Sequence, residues 1–241
     1  MKNILVVDVG GTNVKVSMSE ARPSLKIPSG KSMTAGGMVA AVRSATKDWE
    51  YDAVSIGYPG VVRDGRPVHE PHNLSGGWRR FDFGKAFGAP VKIVNDAAMQ
   101  ALGAYAGKRM LFLGLGTGLG TAVVAEGLLM PMELAHLPYR RGRTYEDYVG
   151  VRGLDRLGRG KWTHHVHVVV GLLKDALEVD EVVLGGGQTK RLKSLPEGVR
   201  ISNNSNAIRG GRRLWDAPEH RKHWTLVTGS HRFGPRHGRR R

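Results

Sequence analysis

Two carboxylates in this chain stand where carboxylates do chemistry. Asp8 sits in the apolar run Ile4-Leu5-Val6-Val7-Asp8-Val9, which ends in Gly10-Gly11-Thr12, and Asp96 follows Val91 to Val94 and Asn95 and heads an alanine-rich stretch, Ala97 to Tyr105. The first pattern reads as strand, turn, strand, and the second as a strand passing into a helix. At such a junction an Asp either caps the helix or stands at the rim of a cleft as a general base, and position alone leaves both readings open. Asp8 also has two readings: a strand-end carboxylate turned on its own backbone, or an oxygen that orients the water shell of Mg²⁺, an ion that takes one or two carboxylates plus water.

Glycines set the chemistry those carboxylates would serve. From Leu111 to Val124 apolar residues lead in and out while Gly114, Gly116, Gly118 and Gly120 alternate between them, giving two strands folded back through a tight turn around Thr117. Glycine at such a turn permits positive φ and close approach of a ligand, and successive N–H groups there make a nest for an anion, most often phosphate. Gly10-Gly11-Thr12 repeats the design, with Lys15 in the following strand either within reach of a phosphate or solvated. Two such units about a hundred residues apart suggest two related lobes facing one phosphate chain. A further glycine platform, Gly185-Gly186-Gly187, follows the strand Glu181 to Leu184.

The elements that position these residues are those of an α/β protein. Met38, Val42, Ala45 and Trp49 recur at helical spacing, and the strand Ala53 to Tyr58 runs into Gly57-Tyr58-Pro59-Gly60, a βαβ unit with its loop at the strand's carboxyl end, where such folds bind ligands. Glu20 to Met33 is short and irregular, and Arg63-Asp64-Gly65-Arg66 is a hairpin turn. Thr144 and Asp147 form a capping pair, Trp162, Val166, Val169, Leu173 and Leu177 mark a long amphipathic helix, and Asn206 to Trp215 a last one. Trp162 and Trp215 are core anchors, and His164, His165 and His167 lack a third ligand for a metal. The expected division is an N-terminal lobe over 1–109, a C-terminal lobe over 110–216 and a basic, mostly disordered tail over 217–241.

Charge narrows the partners. Lys and Arg number 37 against 21 Asp and Glu, for a net charge of +16; the tail from Ala217 carries +6 of this and the rest of the chain +10. Such a field attracts polyanions, although a generic basic surface reads the same way. Arg140, Arg141, Arg143, Arg156, Arg159 and Lys161 are either a solvated face or a track for a long polyphosphate. The absence of cysteine excludes disulfides, Cys-based zinc sites and iron–sulfur clusters. Without an apolar run of membrane-spanning length, and with Asp8 interrupting any leader, a cytoplasmic protein that does not bind membrane is expected.

Asp8-Val9-Gly10-Gly11-Thr12-Asn13-Val14-Lys15 resembles the first phosphate motif of the ROK family (repressors, open reading frames and sugar kinases). Gly57-Tyr58-Pro59-Gly60, Asn95-Asp96, Leu115 to Gly120, Glu133-Leu134-Ala135-His136 and Gly185 to Gly187 follow in that family's order. Pro71 to Trp78, Thr144 to Gly150 and Asn204 to Trp215 are similar to the bacterial polyphosphate/ATP-glucokinase group within it. The resemblance implies an actin-like ATPase (ribonuclease H-like) fold, two lobes around a central cleft, and transfer of a phosphoryl group from ATP or inorganic polyphosphate, with Mg²⁺, to the 6-hydroxyl of glucose or a close hexose. It implies that Asn95, Asp96, Glu133, His136 and Glu146 hold the sugar and that Asp96 takes the hydroxyl's proton. It further implies that the turns at Gly10, Gly11, Thr12 and at Gly116, Thr117, Gly118, with Lys15, hold the phosphates, and that Gly185, Gly186 and Gly187 lie under a nucleotide's base and ribose.

A homodimer is the assembly common among the related kinases. Most of the family carries a Cys-rich zinc motif after its Glu-x-Gly-His element; none stands here, so no zinc is expected and His136 reads as a sugar ligand. Ala135 replaces that element's glycine, and a positive φ there would strain it and shift the sugar loop. The competing functions are a sugar-sensing regulator, disfavoured because only seven residues precede Asp8, where the family's repressors have a helix-turn-helix, and a polyanion or nucleic-acid binder acting through the tail.

Overall fold

All of the strand β1 (Ile4–Val9) except Asp8 is buried and apolar, as a strand covered on both faces must be. The computed structural model describes residues 3–20, 24–203, 205–216 and 225–226, and in it β1 is the middle of a five-stranded sheet. In chain order come β2 (Asn13–Ser17), β3 (Leu25–Pro28), α1 (Ala35–Ala45), β4 (Ala53–Tyr58), a hairpin of β5 (Val62–Arg63) and β6 (Arg66–Pro67), α2 (Phe83–Phe87) and β7 (Val91–Asn95). The sheet order is β3-β2-β1-β4-β7, antiparallel on the β2–β3 side and parallel on the β4–β7 side. The hairpin turns through Asp64 (φ 48°) and Gly65 (φ 69°), the left-handed pair that suits the twist of two short strands.

The second half repeats the first. After α3 (Asp96–Ala104) come β8 (Met110–Leu115), β9 (Leu119–Ala125), β10 (Leu128–Met132), a hairpin of β11 (Pro138–Arg140) and β12 (Arg143–Thr144), α4 (Tyr145–Val149), α5 (Val151–Ala176), β13 (Glu181–Gly185), β14 (Val199–Ile201) and α6 (Asn206–Arg213). These strands lie in the order β10-β9-β8-β13-β14, with the same two antiparallel and two parallel pairings. The two glycine-threonine turns, β1 to β2 and β8 to β9, are therefore equivalent places in two copies of one topology.

The helices that follow each copy's last strand are exchanged. α3 packs chiefly on β8 and β9 while keeping contact with β4 through Met99, whereas α6 crosses back to β1 and β4. There the Ser55 hydroxyl donates to the Gly211 carbonyl at 2.6 Å, and the Trp215 indole N–H donates to that hydroxyl at 2.8 Å. α3 and α6 cross backbone to backbone, and the relation is reciprocal. A Cβ on Gly103 would strike the carbonyl of Asn206, and one on Gly210 the carbonyl of Met99, each four residues before the facing glycine.

Several elements differ from their sequence reading. Within Glu20 to Met33, residues 25–28 form β3, an edge strand whose exposed Leu25 and Lys26 hid any alternation. α1 ends at Ala45 with Thr46 as its C-cap, so its buried stripe is Ala35, Met38, Val39 and Val42, and Trp49 lies beyond it. α5 breaks at Gly158 (φ 72°), and Leu177 caps its end; α6 stops two residues short of Trp215. Trp162 is fully buried, its indole N–H donating to the Val149 carbonyl at 2.9 Å. Of the tail read as mostly disordered, Thr225–Leu226 form β15, parallel to β10, and the other residues of 217–241 lie outside the described residues.

Candidate active site

Asn95 and Asp96 divide the work at the β7–α3 junction. Asn95 is the N-cap: its Oδ1 accepts the Ala98 N–H at 3.0 Å while its Nδ2 donates to the Gly60 carbonyl at 3.2 Å. Asp96 is the first helical residue, and its Oδ1 accepts the Ala97 N–H at 2.8 Å. With the cap already supplied by its neighbour, Asp96 is not needed to end the strand. Its carboxyl is pushed up to about 7, first by burial and then by the charge of Asp8, with a smaller push from Glu133.

That repulsion comes from Asp8 on β1 and from Glu133, just past β10. Asp8 is paired across the β1–β2 ladder with Lys15, whose Nζ is 3.8 Å from Oδ2. Burial raises the Asp8 carboxyl and Lys15 opposes the rise. Glu133 is likewise raised by burial, with Glu146 adding to the rise and His136 and His72 offsetting it. His136 Nε2 lies 3.7 Å from Glu133 Oε2, both side chains largely open to solvent. Glu146 Oε2 accepts the Leu119 N–H at 3.2 Å, and its other oxygen meets Arg152 at 3.2 Å. Asp96 is thus within electrostatic reach of Asp8 and Glu133, and Glu133 in turn of His136, Glu146 and His72. Asn95 is buried and bonded through both ends of its amide.

The second glycine turn adjoins Glu146, and the first adjoins Asn73. Gly11, Thr12 and Thr117 are exposed, with Gly10, Gly116 and Gly118 partly so. Their constraint is closeness, not the positive φ expected of them: a Cβ on Gly118 would strike the Glu146 carboxylate, and one on Gly11 would come to 3.0 Å from Asn73 Cβ. Left-handed backbone is found in the third platform instead, at Gly186 (φ 85°). There Gly186 and Gly187 are exposed, while Gly185 is buried against the Phe112 ring. His72, which interacts with Glu133, and Asn73, which packs on Gly11, belong to the stretch Pro71 to Trp78 that carries the family resemblance, but no role was assigned to either from sequence. Glu70, whose carboxylate accepts the Trp78 N–H at 2.9 Å, folds that loop, and acids eight residues from their partner leave no local signal.

Ala135 is unstrained. It lies in the 3-10 turn Leu134–His136, is 3% exposed and packs in the second lobe's core, and the non-glycine residues of positive φ among the described residues are Asp64, Glu126, Arg141 and Glu178. The histidines of α5 are otherwise engaged, His165 with Tyr139 and His167 with the Ser194 carbonyl. Among the described residues no three His, Asp or Glu gather as a metal cage, and no helix is long and apolar enough to cross a membrane.

Two copies of one five-stranded topology, each with a glycine turn between its first two strands, define an actin-like ATPase fold. The chain belongs to the ROK family, whose model matches residues 4–131. It is 30% identical over 139 residues to a glucokinase of Pyrobaculum calidifontis, covering 54% of this chain and 46% of that protein. To an N-acetylmannosamine kinase of Salmonella arizonae it is 28% identical over 171 residues, covering 64% and 58%. The chain thus spans about half the length of these relatives. An inorganic polyphosphate/ATP-glucomannokinase of Arthrobacter sp. strain KM shares the fold with a TM-score of 0.75 at 21% identity, over 88% of this chain and 97% of that one.

Proposed function

We propose that this protein is a hexokinase-type phosphotransferase that moves a phosphoryl group from inorganic polyphosphate or ATP to the 6-hydroxyl of glucose or a close hexose, with Asp96 as general base. The observation that carries the reading is the state of Asp96: Asn95 serves as the N-cap, and burial together with the charges of Asp8 and Glu133 raises the Asp96 carboxyl to about 7. A base serves best when its pKa lies near the working pH.

In this reading Glu133, His136 and Glu146, with the remaining N–H of the Asn95 amide, take the sugar hydroxyls. The 6-hydroxyl gives its proton to Asp96 as its oxygen bonds to the terminal phosphorus, and the bond from that phosphorus to the bridging oxygen breaks, leaving ADP or a polyphosphate one unit shorter. Exposed backbone at Gly11, Thr12 and Thr117 and the Lys15 ammonium face the donor's charge. Gly186 and Gly187 would underlie a nucleotide's base and ribose. The Asp8 carboxylate would orient the water shell of Mg²⁺, an ion that would neutralise phosphate charge and needs no all-protein cage.

Incubation of the protein with glucose, Mg²⁺ and either donor tests the proposal. Glucose 6-phosphate in either tube supports it and names the donor; no product in both, with glucose or with mannose and N-acetylmannosamine in its place, overturns it.

A further inference from the structure

The candidate sugar ligands lie at the two ends of one excursion of the chain, Glu133 and His136 before the β11–β12 hairpin and Glu146 after it. What holds that excursion to the lobe bears on where all three point. Its start is clamped by Thr121, whose hydroxyl donates to the Met132 carbonyl at 2.6 Å and accepts the Leu134 N–H at 3.2 Å. Its end is fixed by the capping box of Thr144 and Asp147. Between these, the Tyr145 N–H donates to the Leu137 carbonyl at 3.1 Å and closes the hairpin on itself, which leaves open how the hairpin is tied to the body of the lobe.

Tyr139 supplies that tie. Its hydroxyl lies 3.0 Å from His165 Nδ1, and its ring meets Tyr148 edge-on with centroids 5.0 Å apart. His165 stands on α5 and itself meets Tyr148 edge-on at 4.7 Å. Edge-to-face rings at these separations attract, and the bond between hydroxyl and imidazole fixes their rotation. Burial, with His164, Arg140 and Arg156 nearby, holds the His165 ring below its ordinary pKa, so the neutral ring keeps a lone pair for the Tyr139 hydroxyl.

We propose that Tyr139 and His165 are positioning residues for the sugar site, their bond holding the hairpin so that Glu133, His136 and Glu146 converge on one hexose. The proposal rests on the functional reading above. Neither residue touches the sugar in it; each acts through the loop, and in a chain without cysteine this aromatic and imidazole contact is the side-chain fastening of the hairpin's first strand.

Glucose binding by calorimetry and amide hydrogen exchange of the full chain test it together. Tyr139→Phe and His165→Phe keep the rings and remove the bond, while His165→Asn returns an acceptor oxygen near the Nδ1 position. Losing one hydrogen bond predicts glucose affinity weakened about three- to tenfold and exchange across 137–145 faster by a similar factor. Tm and the KM for the phosphoryl donor should stay at wild-type values, and His165→Asn should recover most of the loss. Wild-type affinity in both Phe variants overturns the proposal, as does a parallel fall in Tm and donor affinity, which marks a general packing defect. Wild-type protein that binds no hexose fails the functional reading itself, a failure seen before any variant is compared, and it removes this proposal with it.

Discussion

Asn95 takes the helix cap that would otherwise fall to Asp96: its Oδ1 receives the Ala98 N–H at 3.0 Å, one residue ahead of the carboxyl that faces the cleft. The same amide donates to the Gly60 carbonyl and so ties the β7–α3 junction to the loop after β4. Asn95→Ala should cost about 1–2 kcal/mol of stability through the lost cap. Asn95→Asp keeps the cap, gives up the donor to Gly60 and adds a charge next to Asp96, so it should leave helix content unchanged while raising the Asp96 pKa further. Chemical denaturation of both variants, with a pH titration of Asp96, checks this.

The raised carboxyl has a consequence for stability. Asp96 titrates near 4 in the unfolded chain and at about 7 in the folded one, so between those values the folded state holds a proton that the unfolded state releases. Stability therefore falls as pH rises from about 4 to about 7 and is lowest above it. Asp96→Asn removes that dependence. The variant should match wild type near pH 4 and exceed it at pH 8 by about 2 kcal/mol, the full shift being discounted because the carboxyl keeps an opening to solvent. Thermal melts of both proteins across that range measure the difference.

The glycine crossing of α3 and α6 should be intolerant. A methyl at Gly103 or Gly210 meets a backbone carbonyl, which can yield only if the helices separate, and α6 also carries the contacts to Ser55. Either Gly→Ala change should cost about 3 kcal/mol, whereas Gly171→Ala on α5, where nothing lies within 4 Å, should be neutral or slightly stabilising. Denaturant midpoints of the three variants separate the cases.

Gly118→Ala probes the turn and the sugar side at once. Its methyl would displace the Glu146 carboxylate from the Leu119 N–H and toward Arg152. Glucose affinity should fall about tenfold, in line with a lost charge-assisted hydrogen bond, with Tm lowered by a few degrees at most. Calorimetry with glucose and a thermal melt read the two effects.

Much of this architecture is legible in the residues because the repeated unit is local: an apolar strand, a Gly-Thr turn and a second apolar strand need no distant partner to be seen. The capping pair Thr144 and Asp147 is legible for the same reason. The exchange of α3 and α6 between sheets is not, since Gly103 and Gly210 reveal their purpose only against each other. β3 escaped because an edge strand of four residues has little buried surface to pattern. At the site, Asp96 was visible as a junction carboxylate, but whether it capped or faced the cleft depended on the side chain of Asn95. His72 and Asn73 were legible only as part of the family-like stretch Pro71 to Trp78, because their position is fixed by Glu70 folding a loop, and Gly11 and Gly118, read for positive φ and ligand approach, are held close to the side chain opposite.

The central claim, that Asp96 is the base of a sugar kinase, is tested most directly by the pH dependence of glucose 6-phosphate formation in wild type and Asp96→Asn, with the active donor and Mg²⁺ saturating. The account predicts wild-type kcat/KM that falls about tenfold per pH unit below about pH 7 and levels above it, with turnover in the variant lower by about a hundredfold or more while glucose still binds within about threefold of wild type. Turnover by Asp96→Asn close to wild type, with the same pH profile, would contradict it.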